Sequence, residues 1–265
     1  MAVHNRRPKT VACLRAIKER LGESGDLGLQ CELYLFDDGS HDGSADAVRE
    51  IWPDARIIRG DGTFFWCRGM NAVWKEAAKA DPDYYLLLND DTMMIAGGMR
   101  TLIQALGDER NPAIAVGLVI NPETRLKTYG VTYSSPPKPG AGRPAEGESP
   151  MFNANCVLVP RAVYQRLGTF HPAYTHSMGD TDYSHAATRQ GVRIVETDRP
   201  VATCERNPVA GTWKDLSLSR WERFRKLNSP KGLPYGEWWI FCGRNCGKSR
   251  LRYFLSPTFR ILMGR

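Results

Sequence analysis

Three groups of carboxylates carry the chemical interest of this chain: Asp37-Asp38, Asp90-Asp91 with Asn89 before them, and Asp180 with Asp182. Acids set this close repel one another unless a cation or hydroxyl donors satisfy them. An oxygen-rich set of this kind suits Mg²⁺ or Mn²⁺, usually shared with substrate phosphates. A carboxylate also accepts hydrogen bonds from ring N–H groups and sugar hydroxyls, or takes a proton from a reacting group. Any one group alone also fits a turn or helix cap, which Asp and Gly both favour. Three of them following apolar elements point to one shared site.

The elements that must position these acids alternate over the first half. Helical spacing runs from Pro8 to Leu21, a strand pattern from Glu32 to Phe36, a helix from Ser44 to Ile51, and a short strand from Ala55 to Ile58. Trp66 to Lys79 is helical, and Tyr84 to Leu88 is a fully apolar strand of the kind a buried parallel sheet requires. Strand–helix alternation predicts an α/β fold with a mostly parallel, Rossmann-like sheet flanked by helices. Ligands of such sheets bind at the carboxyl ends of strands. Phe36 runs into Asp37-Asp38 there, and Leu88 into Asn89-Asp90-Asp91. Farther on, Ala113–Ile120, Leu126–Tyr133, Cys156–Val159, Val192–Glu196 and Val201–Cys204 read as strands, with a helix led by Pro160. Ser134 to Pro150 is rich in Pro and Gly and reads as a mobile surface loop unable to hold a ladder.

The 265 residues suit one α/β domain with an appendage, and 42 % hydrophobic content supports a sizeable core. The net charge of +7 is uneven. Arg206 to Arg265 holds thirteen Lys/Arg against three Asp/Glu, with ten aromatics, while the residues before it are net acidic. The division this suggests is 1–207 as catalytic domain and 208–265 as a short helical, basic and aromatic C-terminal extension. Such a tail suits an anionic membrane surface or a pyrophosphate-linked lipid, or is an ordinary solvated helical face. Seven scattered Cys without metal-finger spacing read as reduced thiols. No window reaches the ~18 apolar residues of a spanning helix, so a cytoplasmic protein, or one peripheral at the inner membrane face, is expected.

Two rival motifs fail. DDGS resembles the D-x-D-G-T signature of haloacid-dehalogenase-type phosphatases, but Phe36 stands where their nucleophilic Asp is required. A nucleotidyltransferase would want a Gly-rich phosphate loop, and VHNRRPKT has no glycine. The ordered set VHNRRPKTVACL, FDDGSHDGS, FFWCRGMNAVW, YYLLLNDDT, FNANCVLVP, GDTDYSHAATRQG and CERNP instead resembles a family 2 glycosyltransferase of the bacterial surface-polysaccharide type. That resemblance implies the glycosyltransferase-A fold. It also implies inverting transfer of a hexose from a nucleotide-diphosphate sugar (UDP, dTDP or GDP type) to a saccharide or lipid-linked acceptor, without nucleic acid.

The resemblance also implies roles. Asp37 and Asp38 would hold base and ribose, and Asp90 would face the ribose or donor sugar. Asn71 and Asn89 would line the donor pocket. Asp91 would ligate Mg²⁺ or Mn²⁺. Asp180 would be the general base, Asp182 would orient its loop or touch acceptor, and Arg206 would neutralise a diphosphate or form a structural ion pair. His4 and His176 could touch phosphate or acceptor, although single histidines are usually structural. Departures from the family pattern are a first strand reduced to Met1–Val3, meaning either a late start of the sequence or a lost central strand that would expose ladder groups, and Asn89 for the first acid of D-x-D. Gly179 replaces a usual Glu, which should lower the pKa of Asp180 relative to the common pattern. The alternatives are a catalytically impaired nucleotide-sugar binding protein and a sugar nucleotidyltransferase.

Overall fold

The computed structural model describes residues 1–23, 27–108, 111–134 and 149–264. Its first ladder is parallel: β1 (Ala2–Val3), β2 (Tyr34–Asp37) and β3 (Arg56–Arg59), with β2 in the middle. The second is mixed. Its order is β4 (Tyr84–Leu88), β10 (Cys156–Pro160), β6 (Ala113–Ile120), β11 (Arg193–Thr203) and β5 (Met93–Met94), and β7 (Lys127–Tyr129) also pairs with β6. Only β6 and β11 run parallel there; β10 is antiparallel to both its neighbours. Helices α1 (Arg7–Glu23), α2 (Ser44–Ile51), α3 (Phe65–Ala77), α4 (Gly98–Leu106), α5 (Arg161–Leu167) and α6 (Gly179–Arg189) flank the sheets.

Side-chain alternation along the strands splits the core in two. On β4 and β6, Tyr85, Leu87, Ile114 and Val116 join one cluster, with Phe36, Trp74, Phe170 and Tyr183. Leu88, Ala115 and Val119 join the other, with Leu14, Leu35, Val48 and Leu102. Apolar residues cover both faces, as a buried sheet demands.

The structure corrects several expected elements. The strand expected from Leu126 to Tyr133 is cut at Gly130 into β7 and β8 (Val131–Ser134). Gly130 has φ 145, and a Cβ there would collide with the Glu196 carboxylate. The two strands expected at 192–204 are one strand, β11, which absorbs register shifts between Glu196 and Ala202. Helix α4 and strand β5 were not legible; α4 begins behind Gly97 in a left-handed turn. The loop read from Ser134 to Pro150 falls at 135–148 outside the described residues. Its two ends do hold a ladder, since β8 pairs with β9 (Ser149–Phe152), Ser134 opposite Ser149.

The short first strand does pair: Phe36 donates its N–H to the Met1 carbonyl, and Ala2 lies opposite Phe36. No hydrogen-bonded strand joins β2 to β4 among the described residues. Residues of both strands, with Met1, Leu14 and Trp74, line a cavity of about 750 Å³. It contains none of the singled-out acids.

The C-terminal helices α7 (Arg220–Leu227), α8 (Tyr235–Asn245) and α9 (Arg250–Leu262) are not a loose tail. A capping box of Ser219 and Glu222 starts α7. From α8, Trp238, Phe241 and Cys242 enter the same core as Trp74. No helix among the described residues is long and apolar enough to cross a membrane. All seven cysteines are free.

Candidate active site

The strand β2 delivers Asp37 and Asp38, both buried. One oxygen of Asp37 accepts the Ser40 N–H at 2.9 Å; the other has no hydrogen bond among the described residues. Asp38 is fully committed. Its Oδ1 accepts from Gly62 (3.0 Å) and Phe64 (3.2 Å) and its Oδ2 from Phe65 (2.7 Å), all backbone N–H groups. This anchors the turn into α3, where Phe65 is held at φ +58. Gly60 is required beside it, because a Cβ would stand 2.7 Å from Asp38 Oδ1 and 2.8 Å from the Phe36 ring. His4 Nδ1 meets the Asp38 carbonyl at 2.6 Å.

Asn89, Asp90 and Asp91 follow β4. Asn89 Oδ1 accepts the Trp66 indole N–H at 2.8 Å. A residue that spacing did not single out, Arg6, forks across the two acids: Nη1 lies 2.9 Å from Asp90 and Nη2 2.6 Å from Asp91. Asp90 is buried, and burial pushes its pKa up to about 6 against the opposing pull of Arg6. The second oxygen of Asp91 is buried without a partner. Asn71, on α3, also has a buried amide oxygen without a partner.

Asp180 and Asp182 lie in the first turn of α6 rather than in a loop. Met178 enters left-handed at φ 73, and Gly179 packs against α3 so closely that a Cβ would lie 2.3 Å from Cys67 Sγ. No Glu could stand at that position with this packing. Burial pushes the Asp180 carboxyl above the usual carboxylate range. Among the described residues no cation pairs with it. Its oxygens accept N–H groups from Thr181 (2.8 Å) and Ala154 (3.3 Å), with the Asn153 side chain also bonding to it. Asp182 is 2 % exposed and wholly occupied. Arg244 Nε reaches both its oxygens (2.9 and 3.1 Å), and Asn245 donates at 2.7 Å.

The start of α3 joins the two ends of the site. Trp66 bonds to Asn89, while the Cys67 and Arg68 N–H groups donate to the Thr175 carbonyl and Cys67 touches the Gly179 position. Burial holds His176, which lies against Trp66, at a pKa of about 4 and therefore neutral. Arg206 is exposed beyond β11 and makes no ion pair among the described residues. The sequence reading missed Arg6, Asn153 and Arg244. Arg6 and Asn153 lie inside quoted motifs, where an Arg near uncompensated acids was the available signal. Arg244 lies 62 residues from Asp182 and carried none.

Among the described residues no group of three or more His, Cys, Asp or Glu forms a metal cage. The orphaned buried oxygen of Asp91 does fit a cation held by one or two carboxylates and completed by substrate phosphates and water.

The family model for glycosyl transferase family 2 matches residues 1–168. No curated protein sequence matches the chain. Among solved structures, a mannosyltransferase of Pyrobaculum calidifontis, PcManGT, in complex with GDP-Man and Mn²⁺, is similar at 16 % identity and TM-score 0.55, covering 98 % of this chain and 68 % of that one. Residues 1–349 of S. aureus TarS give 14 % identity and TM-score 0.54, over 96 % and 72 %. GalNAc-T7 with UDP, GalNAc and Mn²⁺ gives 15 % and 0.57, over 99 % and 57 %. At these identities the likeness establishes the fold, which is the glycosyltransferase-A fold.

Proposed function

Because the chain belongs to glycosyl transferase family 2 and is a glycosyltransferase, we propose that it moves a hexose from a nucleotide-diphosphate sugar to an acceptor hydroxyl with inversion. The acceptor would be a saccharide or lipid-linked glycan of a cell-surface polysaccharide. The observation that carries this reading is the contrast at Asp180. It is a carboxylate of raised pKa, held only by neutral donors, on a turn packed against the helix that touches the Asn89–Asp91 end.

In this reading Asp180 accepts the proton of the acceptor hydroxyl. The freed oxygen attacks the anomeric carbon, and the bond to the nucleoside diphosphate breaks, its electron pair leaving with the diphosphate. Asp37, with one free oxygen, takes base or ribose, while Asp38 shapes the turn beneath it. Asp90, Asn89 and Asn71 face the donor. Asp91 would hold a Mg²⁺ or Mn²⁺, which when bound supplies charge neutralisation on the diphosphate. Arg206, exposed beyond β11, would neutralise the diphosphate. Asp182 orients the Asp180 turn through Arg244. The exposed Trp221, Leu251, Phe259 and Met263 of the basic C-terminal helices suit peripheral contact with an anionic membrane, on the cytoplasmic face.

The test is calorimetric titration of the full chain with UDP, GDP and dTDP, with and without Mn²⁺, followed by turnover of Asp180→Asn. One nucleotide should bind, more tightly with metal, and Asp180→Asn should keep that binding while losing turnover. Undiminished turnover sinks the base assignment. Failure of all three nucleotides to bind sinks the donor reading.

A further inference from the structure

Beside the Asp180 turn lies a second cavity, of about 380 Å³, that no role above uses. This is the size of a small-ligand pocket, about 300–1,000 Å³. Met178 and Thr181, the residues that bracket Gly179 and Asp180, form its inner wall. Met151, Ser177 and His185 add to that side, and the C-terminal helices with the loops before them build the opposite one.

Three properties of the wall are specific. First, the aromatic side chains Trp213, Trp238 and Tyr253 line it, residues of the kind against which a sugar ring packs. The Trp213 carbonyl is pinned by Arg223 Nε at 2.9 Å, which fixes that part of the wall. Second, Lys214, Lys231 and Arg260 line it; among the described residues no acidic side chain does, and none of the three makes an ion pair. Third, His185 is 4 % exposed, lines the cavity one turn after Thr181, and its buried Nε2 has no hydrogen-bond partner. A buried polar atom left open costs about 1–3 kcal/mol, a cost that a ligand hydroxyl in the cavity would remove.

We infer that this pocket binds the acceptor, and that the acceptor is a saccharide carrying a phosphate group next to the sugar that is extended. The sugar would lie on the aromatic wall with a hydroxyl on His185 Nε2, and the phosphate would meet Lys231, Arg260 and Lys214. The inference rests on the transferase reading for the word acceptor, but not for the binding itself. It also gives the basic C-terminal segment a task inside the site, distinct from any contact with a membrane.

The experiment is binding of a panel of aldohexose 1-phosphates, the matching methyl hexosides and inorganic phosphate to the full chain, with nucleoside diphosphate and Mn²⁺ present. At least one hexose 1-phosphate should bind ten-fold or more tightly than its methyl hexoside and than inorganic phosphate. Lys231→Ala/Arg260→Ala should remove that advantage, whereas Lys226→Ala/Lys248→Ala, which removes two exposed charges outside the pocket, should retain it. Equal loss in both double variants, or no preference for the phosphorylated sugar, overturns the inference. Inorganic phosphate binding as tightly as any sugar phosphate overturns its saccharide half. A short-prenyl diphosphate hexose that binds more tightly still assigns the phosphate to a lipid-linked acceptor; equal binding assigns it to a phosphate within a soluble glycan. Nucleotide binding is read in the same titrations, so its loss would sink the transferase reading and leave the pocket result standing.

Discussion

The acids at the ends of β2 and β4 and the acids at the start of α6 are the same functional group in opposite surroundings. At the strand ends a single guanidinium, Arg6, bridges Asp90 and Asp91. At α6 the cation, Arg244, is taken by Asp182, and Asp180 is left with neutral donors, two backbone N–H groups and the Asn153 side chain. Within each doublet one member is the more tightly held by its neighbours: Asp38 by the α3 turn, Asp90 by Arg6 and Thr10, Asp182 by α8. Asp37, Asp91 and Asp180 each keep something open. A ligand-binding end can keep its charge balanced by a resident cation. A base needs a carboxylate with appetite for a proton, which calls for burial without a cation.

The largest effect should come from erasing that contrast at its sharp end. Asp180→Asn should lower transfer by about 10²–10⁴-fold, the range of positioned general-base catalysis, with nucleotide affinity unchanged in calorimetry. The native rate should rise with pH as Asp180 ionises, with a midpoint above the ordinary Asp value of about 3.9. Stability has the opposite sign. The folded chain holds the Asp180 proton at pH values where the unfolded chain has released it, so this group's contribution falls as pH rises through that window. Asp180→Asn should therefore gain on the native chain in chemical denaturation at neutral pH and lose that gain in acid. A constant difference would break the comparison.

Next in size is Arg244→Ala, which leaves Asp182 buried and unpaired. A loss of about 2–4 kcal/mol in denaturant midpoint analysis is expected, toward the low end because Arg244 is 35 % exposed. Arg6→Ala should cost less, about 1–2 kcal/mol, since Arg6 is 39 % exposed and the acids can recruit solvent cations. Added Mn²⁺ should restore part of that loss in thermal unfolding. No restoration would remove Asp91 as a cation ligand. Smallest is Trp66→Phe, which keeps the ring and drops the indole bond to Asn89, for about 1 kcal/mol, read as a shift in unfolding midpoint.

What the sequence disclosed, and what it withheld, follows the range of the interactions. Strand β4 and helix α2 were visible because periodicity and caps are local, and the acids were visible because they close apolar runs. The break at Gly130 was not, since its cause is Glu196 on another strand. Asp180 could be singled out, but its solvation could not; that depends on Ala154 and Asn153, brought in from a distant segment. Arg6 and Arg244 were lost for the same reason, since a charge pair across the fold leaves no spacing to count. Gly179 read as a lost acid, and the structure makes it a requirement of the Cys67 contact.

The Arg244–Asp182 pair has a consequence for descent. A buried acid and its cation, far apart in the chain, can each be lost only at a penalty, yet can be replaced together by two apolar residues at little penalty. In a lineage of such chains the two positions should therefore change as a pair. A deletion that removes α8 should survive only where position 182 has already lost its charge. The last helices and the Asp180 turn should then be inherited as one unit.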